Sequence, residues 1–246
     1  MCKQRVAQIF RKADDNDKVS SMKQLALDIT PSPLPALSRF VPGRNTELLQ
    51  TLGDMFARPV KERFVYIWGV PGSGKSHLLQ AMAALSMRNQ VNTAYFACNS
   101  KTCFSERSEA DCTLVDDADR LEDGAQIGLF NLYNRIRERD DAILLVSGSS
   151  APAQLKLRED LMTRLGWGLV YRVHELTDPE KIEAMQNHAL SRGLELSSDV
   201  CDYLLRHERR DLTTLMATID ALDIYSMSHR RKVSIPLARE LLQELS

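Results

Sequence analysis

Residues 64–79 read Phe-Val-Tyr-Ile-Trp-Gly-Val-Pro-Gly-Ser-Gly-Lys-Ser-His-Leu-Leu, an apolar strand that passes through a glycine-rich turn into a helix. Gly69, Gly74, Lys75 and Ser76 stand at the spacing of a loop that cradles phosphate. Glycines there let the backbone curl so that successive N–H groups point inward at phosphate oxygens. The helix beginning near Lys75 aims the positive end of its dipole at the same anion. Lys75 is placed to reach the β- and γ-phosphates, and the Ser76 hydroxyl to hold Mg²⁺. Pro71, Gly72, Ser73 and His77 complete the expected nucleotide-binding set. The strand–turn–helix context separates this loop from an ordinary Gly-Pro turn. The chain is read as binding a nucleotide.

The rest of the chain divides into three stretches. Residues 1–39 are polar or Pro-rich; Thr30-Pro31-Ser32-Pro33-Leu34-Pro35 cannot sustain a helix and reads as a flexible tether. Residues 40–175 alternate short apolar runs with amphipathic segments, the pattern of parallel strands and crossover helices. Strands are expected at 64–68, 93–98, 113–116, 143–147 and 169–173, and helices at 75–87, 126–139 and 158–165. In the second helix Ile127, Phe130, Tyr133, Asn134 and Arg137 recur at helical spacing, with Phe130 and Tyr133 facing the sheet. Residues 176–246 read as helices alone. Asp178-Pro179 offers an N-cap followed by proline at the first helical position, Ser197 and Asp211 cap two more helices, and Pro236 opens a last one. The predicted fold class is therefore α/β, a parallel-sheet nucleotide-binding core followed by a small all-helical lid.

Composition excludes several classes. At 246 residues with 26% charged side chains the chain is long enough for such a core, and no apolar run approaches the ~18–20 residues of a membrane span. Asp14, Asp15 and Asp17 argue against a signal peptide in residues 1–21. The five cysteines lack a Cys-x-x-Cys pair, which fits free cytoplasmic thiols. A net charge of −1 gives no broad attraction to nucleic acid. The cluster His229-Arg230-Arg231-Lys232 reads as a solvated helix end.

Thr113-Leu114-Val115-Asp116-Asp117 is an apolar strand ending in two carboxylates, about forty residues after the phosphate loop. Asp116 is the expected Mg²⁺ partner beside Ser76, and Asp117 the group that polarises attacking water. Ser149, after the next strand, is placed to sense the γ-phosphate, although a Gly/Ser turn is an equal reading of those residues.

The segment Asp160-Leu161-Met162-Thr163-Arg164-Leu165-Gly166-Trp167-Gly168 resembles the arginine-finger box of DnaA-type AAA+ ATPases, as do Phe40-Val41-Pro42-Gly43 and Gly74-Lys75-Ser76-His77-Leu78-Leu79. Initiators of that family continue into a helix-turn-helix domain, whereas this chain ends after its lid. It is most similar to the short regulatory members that carry an N-terminal Gln-Leu-x-Leu peptide, here Gln24-Leu25-Ala26-Leu27-Asp28. Met22 reads as the functional start. The resemblance implies an adaptor that binds ATP or ADP with Mg²⁺ and docks on the DNA polymerase III sliding clamp through Gln24, Leu25 and Leu27. It further implies that Arg164 acts in trans to stimulate hydrolysis of DnaA-bound ATP, which prevents re-initiation of replication. Contact with DNA is then indirect, through the clamp, at the replisome in the cytoplasm, with no membrane involved and a homodimer left open. A helicase-loader ATPase of the DnaC-like group is the alternative.

Two positions depart from the family pattern. Thr213 stands where the lid carries a sensor arginine, with Arg209 and Arg210 as substitutes if the helix starts earlier. Ser149 stands where an acid is common, and a hydroxyl cannot serve as a base. Both favour firm nucleotide binding with at most weak intrinsic ATPase activity.

Overall fold

The computed structural model describes residues 36–56, 62–104 and 110–245. The peptide at Gln24, Leu25 and Leu27 lies outside them. Strands β1 (Phe64–Trp68), β2 (Thr93–Ala97), β3 (Cys112–Asp116), β4 (Ile143–Gly148) and β5 (Leu169–Arg172) form one sheet in the order β2-β3-β4-β1-β5. All neighbouring pairs are parallel. Parallel neighbours need long crossovers, supplied by α2 (Lys75–Arg88), α3 (Asp123–Glu138) and α4 (Glu159–Leu165), while α1 (Thr46–Asp54) precedes β1.

Successive strand residues face opposite layers. Val65, Ile67, Leu114 and Leu145 pack against Leu48 and Leu52 of α1 and Leu78 and Leu79 of α2. Tyr66, Val115, Leu144 and Val146 pack against α3 and α4 through Leu129, Leu132, Ile136 and Leu161. Strands buried on both faces need near-continuous apolar runs, which is why they were readable. Replacing the fully buried Leu145 with Ala would cost about 2–5 kcal/mol.

Three details differ from the sequence reading. Helix α3 begins at Asp123, and Ile127 is 45% exposed. Its inward face is Leu129, Leu132, Tyr133 and Ile136, a stripe displaced from the expected one because it buries more aliphatic surface. Residues Leu37–Arg39, at the end of the expected tether, form a 3₁₀ turn whose Leu37 packs on the α1–α2 layer.

The third difference lies in the lid, which comprises α5 (Asp178–Ser191), α6 (Ser198–His207), α7 (Leu212–His229) and α8 (Ile235–Leu245). These helices enclose their own cluster, including Met185, Val200, Leu204, Leu215, Ile219 and Leu222. The N-cap of α5 is Thr177 rather than Asp178. Glu180, three residues on, accepts from the Thr177 N–H at 2.7 Å and from its hydroxyl at 2.8 Å, so a capping box displaces the Asp-Pro start. Asn45 fastens the chain entering the lid: its side chain donates to the His174 carbonyl at 2.9 Å and accepts from the His174 N–H at 2.7 Å.

Candidate functional site

The phosphate loop emerges at the carboxyl end of β1, where the strand order places the crevice of an open parallel sheet. Gly74 takes φ 98° as the N-cap of α2, and a side chain there would meet the Phe40 ring at 2.8 Å. Only glycine tolerates both demands. Lys75 is buried, and its ammonium donates to the carbonyls of Gly69 at 2.8 Å and Val70 at 3.2 Å. The buried Ser73 hydroxyl has no partner in the loop. Pro71, Gly72 and Ser76 are exposed at its mouth. His77 lies behind it with its ring centroid 6.0 Å from that of Phe40, and burial lowers its pKa. A lysine held on backbone carbonyls and an orphaned hydroxyl under a glycine curl fit a bound phosphate chain.

The carboxylates stand two strands away. Asp116 is buried, and its two oxygens accept from Ser147 Oγ at 2.6 Å and the Tyr95 hydroxyl at 3.0 Å. Ser147 also accepts from the Asp117 N–H at 2.9 Å. Asp117 adopts left-handed backbone angles, φ 57° and ψ 53°, and pairs with Arg120 at 3.4 Å. Burial, then the charge of Asp116, raises its pKa. Left-handed geometry is uncommon outside glycine and concentrates at functional positions. With the exposed Ser76 hydroxyl, these hard oxygen donors suit Mg²⁺. Tyr95 escaped the sequence reading, whereas Ser147 opens the polar run Ser147-Gly148-Ser149-Ser150 expected beside the tip of the Asp116 strand. The polar break in the apolar run 143–148 was a signal for Ser147, because the β3–β4 register pairs Val115 with Val146 and so sets Asp116 beside Ser147.

Ser149 is exposed, with its N–H held by Asp119 at 3.0 Å. The lid approaches the same loop: a β-carbon built at Gly72 would lie 3.4 Å from Cβ of Asp211. Asp211 caps α7 by accepting from the Thr214 N–H at 2.9 Å. Because α7 starts at Leu212, Arg209 and Arg210 precede it, and they are paired with Asp211 at 3.6 Å and Asp178 at 2.9 Å. Thr213 is exposed on the first turn.

Arg164 lies apart from this loop, on the last turn of α4, where it lines an open groove of about 700 Å³ with Phe130, Arg158, Asp160, Thr163 and Trp167. Its guanidinium carbon is 4.0 Å from the Trp167 ring centre, 5.7 Å from Phe130 and 5.9 Å from Tyr133. Among the described residues it forms no ion pair, and Nη1 is buried without a hydrogen-bond partner. The neighbouring Asp160 is taken by Arg158 at 3.0 Å. Gly168 explains part of the Leu-Gly-Trp-Gly box, since a side chain there would collide with the Phe64 backbone of β1.

Known proteins place this architecture. Residues 178–242 match the family model of the Hda lid domain, and residues 65–150 match that of an RNA helicase. An uncharacterised protein of Haemophilus influenzae is 34% identical over 230 residues, which cover 89% of this chain and 98% of that protein. Domain III of the replication initiation protein DnaA from Thermotoga maritima superposes with a TM-score of 0.70 at 20% identity, over 87% of this chain and 98% of that one. AMPPCP-bound DnaA from Aquifex aeolicus gives 0.66 at 21% identity, over 78% and 65%. At such identities these structures speak to the fold, a parallel AAA+ sheet with a helical lid. Residues 178–242 thus belong to the Hda lid-domain family, on a core with the fold of DnaA domain III.

Proposed function

We propose that this protein is a replication adaptor that holds an adenine nucleotide, docks on the DNA sliding clamp and stimulates hydrolysis of ATP bound to DnaA. The observation that carries this reading is Arg164: a guanidinium that lines an open groove and, among the described residues, forms no ion pair. A charge so placed can enter a neighbouring subunit's triphosphate site and offset charge developing on the transferring phosphoryl group. Gln24, Leu25 and Leu27 are assigned to the clamp, an extended peptide laying two leucines in an apolar pocket.

The protein's own nucleotide serves as a structural ligand. Lys75 and the loop amides bind the phosphates, Ser76 and Asp116 hold Mg²⁺, and Asp117 orients water. Bound Mg²⁺ would neutralise charge on the phosphate oxygens. Turnover at this site is slow, because Thr213 and Ser149 replace groups that would complete it, and Arg209 and Arg210 are already paired. The reading places the protein at the replisome, touching DNA through the clamp, and allows two copies to pair across nucleotide sites.

The test is hydrolysis of DnaA-bound ATP with clamp-loaded DNA, comparing the native chain with Gln24→Ala, Leu25→Ala. Stimulation by the native chain that is lost with the peptide variant supports the adaptor. Absence of stimulation by the native chain, or tight single-strand binding without clamp association, rejects it.

A further inference from the structure

We propose that Trp167 is a positioning residue for Arg164, an aromatic seat that orders the guanidinium until a partner's phosphate takes it; this rests on the function proposed above.

A long arginine side chain samples many rotamers, and order must come from somewhere before it can be delivered to one oxygen. Ion pairing with a carboxylate would supply order, but it would also neutralise the charge and have to be broken on engagement. Here the order comes from rings. Trp167 lies 4.0 Å from the guanidinium carbon, and Phe130 and Tyr133 lie on α3 within 6 Å of it. Arg164 is half-buried, and attraction to ring faces restrains it without an ion pair that engagement would have to break. Two acids of the same helix line the groove: Asp160 is occupied by Arg158 through two hydrogen bonds at 3.2 and 3.0 Å, and Glu159 forms no ion pair with Arg164 among the described residues. Trp167 itself is 59% exposed and lines the groove beside Arg164. Arg137 approaches the same ring at 6.0 Å. The buried Nη1 lacks a hydrogen-bond partner, so the seat leaves one donor unsatisfied, a cost that is removed if the side chain swings out to an anion.

Two measurements test the seat. The chain has two tryptophans, so Trp68→Phe leaves Trp167 as the sole indole reporter. In that background Arg164→Met is expected to shift Trp167 emission without any partner present; unchanged emission overturns the contact. In stimulated hydrolysis of DnaA-bound ATP, Trp167→Ala is expected to lower the maximal rate roughly 3- to 10-fold while the half-saturating concentration stays fixed. Trp167→Phe should restore the rate to within about 2-fold, because a phenyl face still offers a cation seat. Full activity of Trp167→Ala, or loss through half-saturation alone, overturns the positioning role. If the native chain itself gives no stimulation, the adaptor function falls, and the emission shift still decides whether the seat exists.

Discussion

The phosphate loop and the Arg164 groove both present a cation, yet they are built in opposite ways. At the loop, Lys75 is buried and held by two carbonyls, and the nearby Asp116 has each oxygen taken by a hydroxyl. At the groove, Arg164 rests on aromatic faces and among the described residues has no ion pair. A hydrogen-bonded cradle retains its ligand, because its donors are already oriented before binding. A guanidinium on rings can leave its seat, and its full charge remains available to another molecule. On the proposed function, the loop holds its ligand and the groove gives its cation.

Substitutions can break that contrast at either end. The largest effect is expected for Arg164→Ala, which should lower stimulated hydrolysis of DnaA-bound ATP by roughly 10³-fold or more while the protein's own nucleotide affinity is retained, measured in paired turnover and titration experiments. Lys75→Ala should do the converse, weakening nucleotide binding by roughly 10- to 100-fold in calorimetry as its charged hydrogen bonds are lost. Gly168→Ala should destabilise the fold by about 1–3 kcal/mol, read as a lower Tm, since β5 must move off the Phe64 backbone. The smallest effect is expected for Asp117→Asn, a modest rise in Tm of the nucleotide-free protein at neutral pH. Burial and Asp116 raise the Asp117 pKa, so the folded state binds this proton more readily than the unfolded one. The ionised form therefore costs stability at neutral pH, and the advantage of Asn should shrink as pH falls into the carboxylate range. Asparagine also accepts the left-handed backbone at this position.

How much of this was legible in the residues depended on the range of each signal. The strands and the loop were readable because a buried parallel strand and a phosphate-binding turn each write themselves into a few consecutive residues. Asp116 and Asp117 were found in the same way, at the end of an apolar run. Ser147 was legible only as part of a polar run and Tyr95 not at all, because both come from flanking strands and which residues oppose each other is a matter of register across the sheet. Asp178-Pro179 looked like a helix start since both residues favour one, yet Thr177 and Glu180 form the stronger reciprocal cap. Arg164 was chosen from the box around it. Trp167 lies in that box, but the rest of the seat was unreadable, since Phe130 and Tyr133 stand on a different helix.

Affinity for a transition-state mimic tests the central claim most directly. DnaA loaded with ADP and aluminium fluoride presents the charge distribution of phosphoryl transfer, and a group that acts only there must bind that form more tightly than the ADP form. The native protein should prefer the fluoride-loaded partner by roughly 10-fold or more, and Arg164→Ala should lose this preference while binding the ADP form unchanged. An equal preference in the native protein and in Arg164→Ala would contradict the claim.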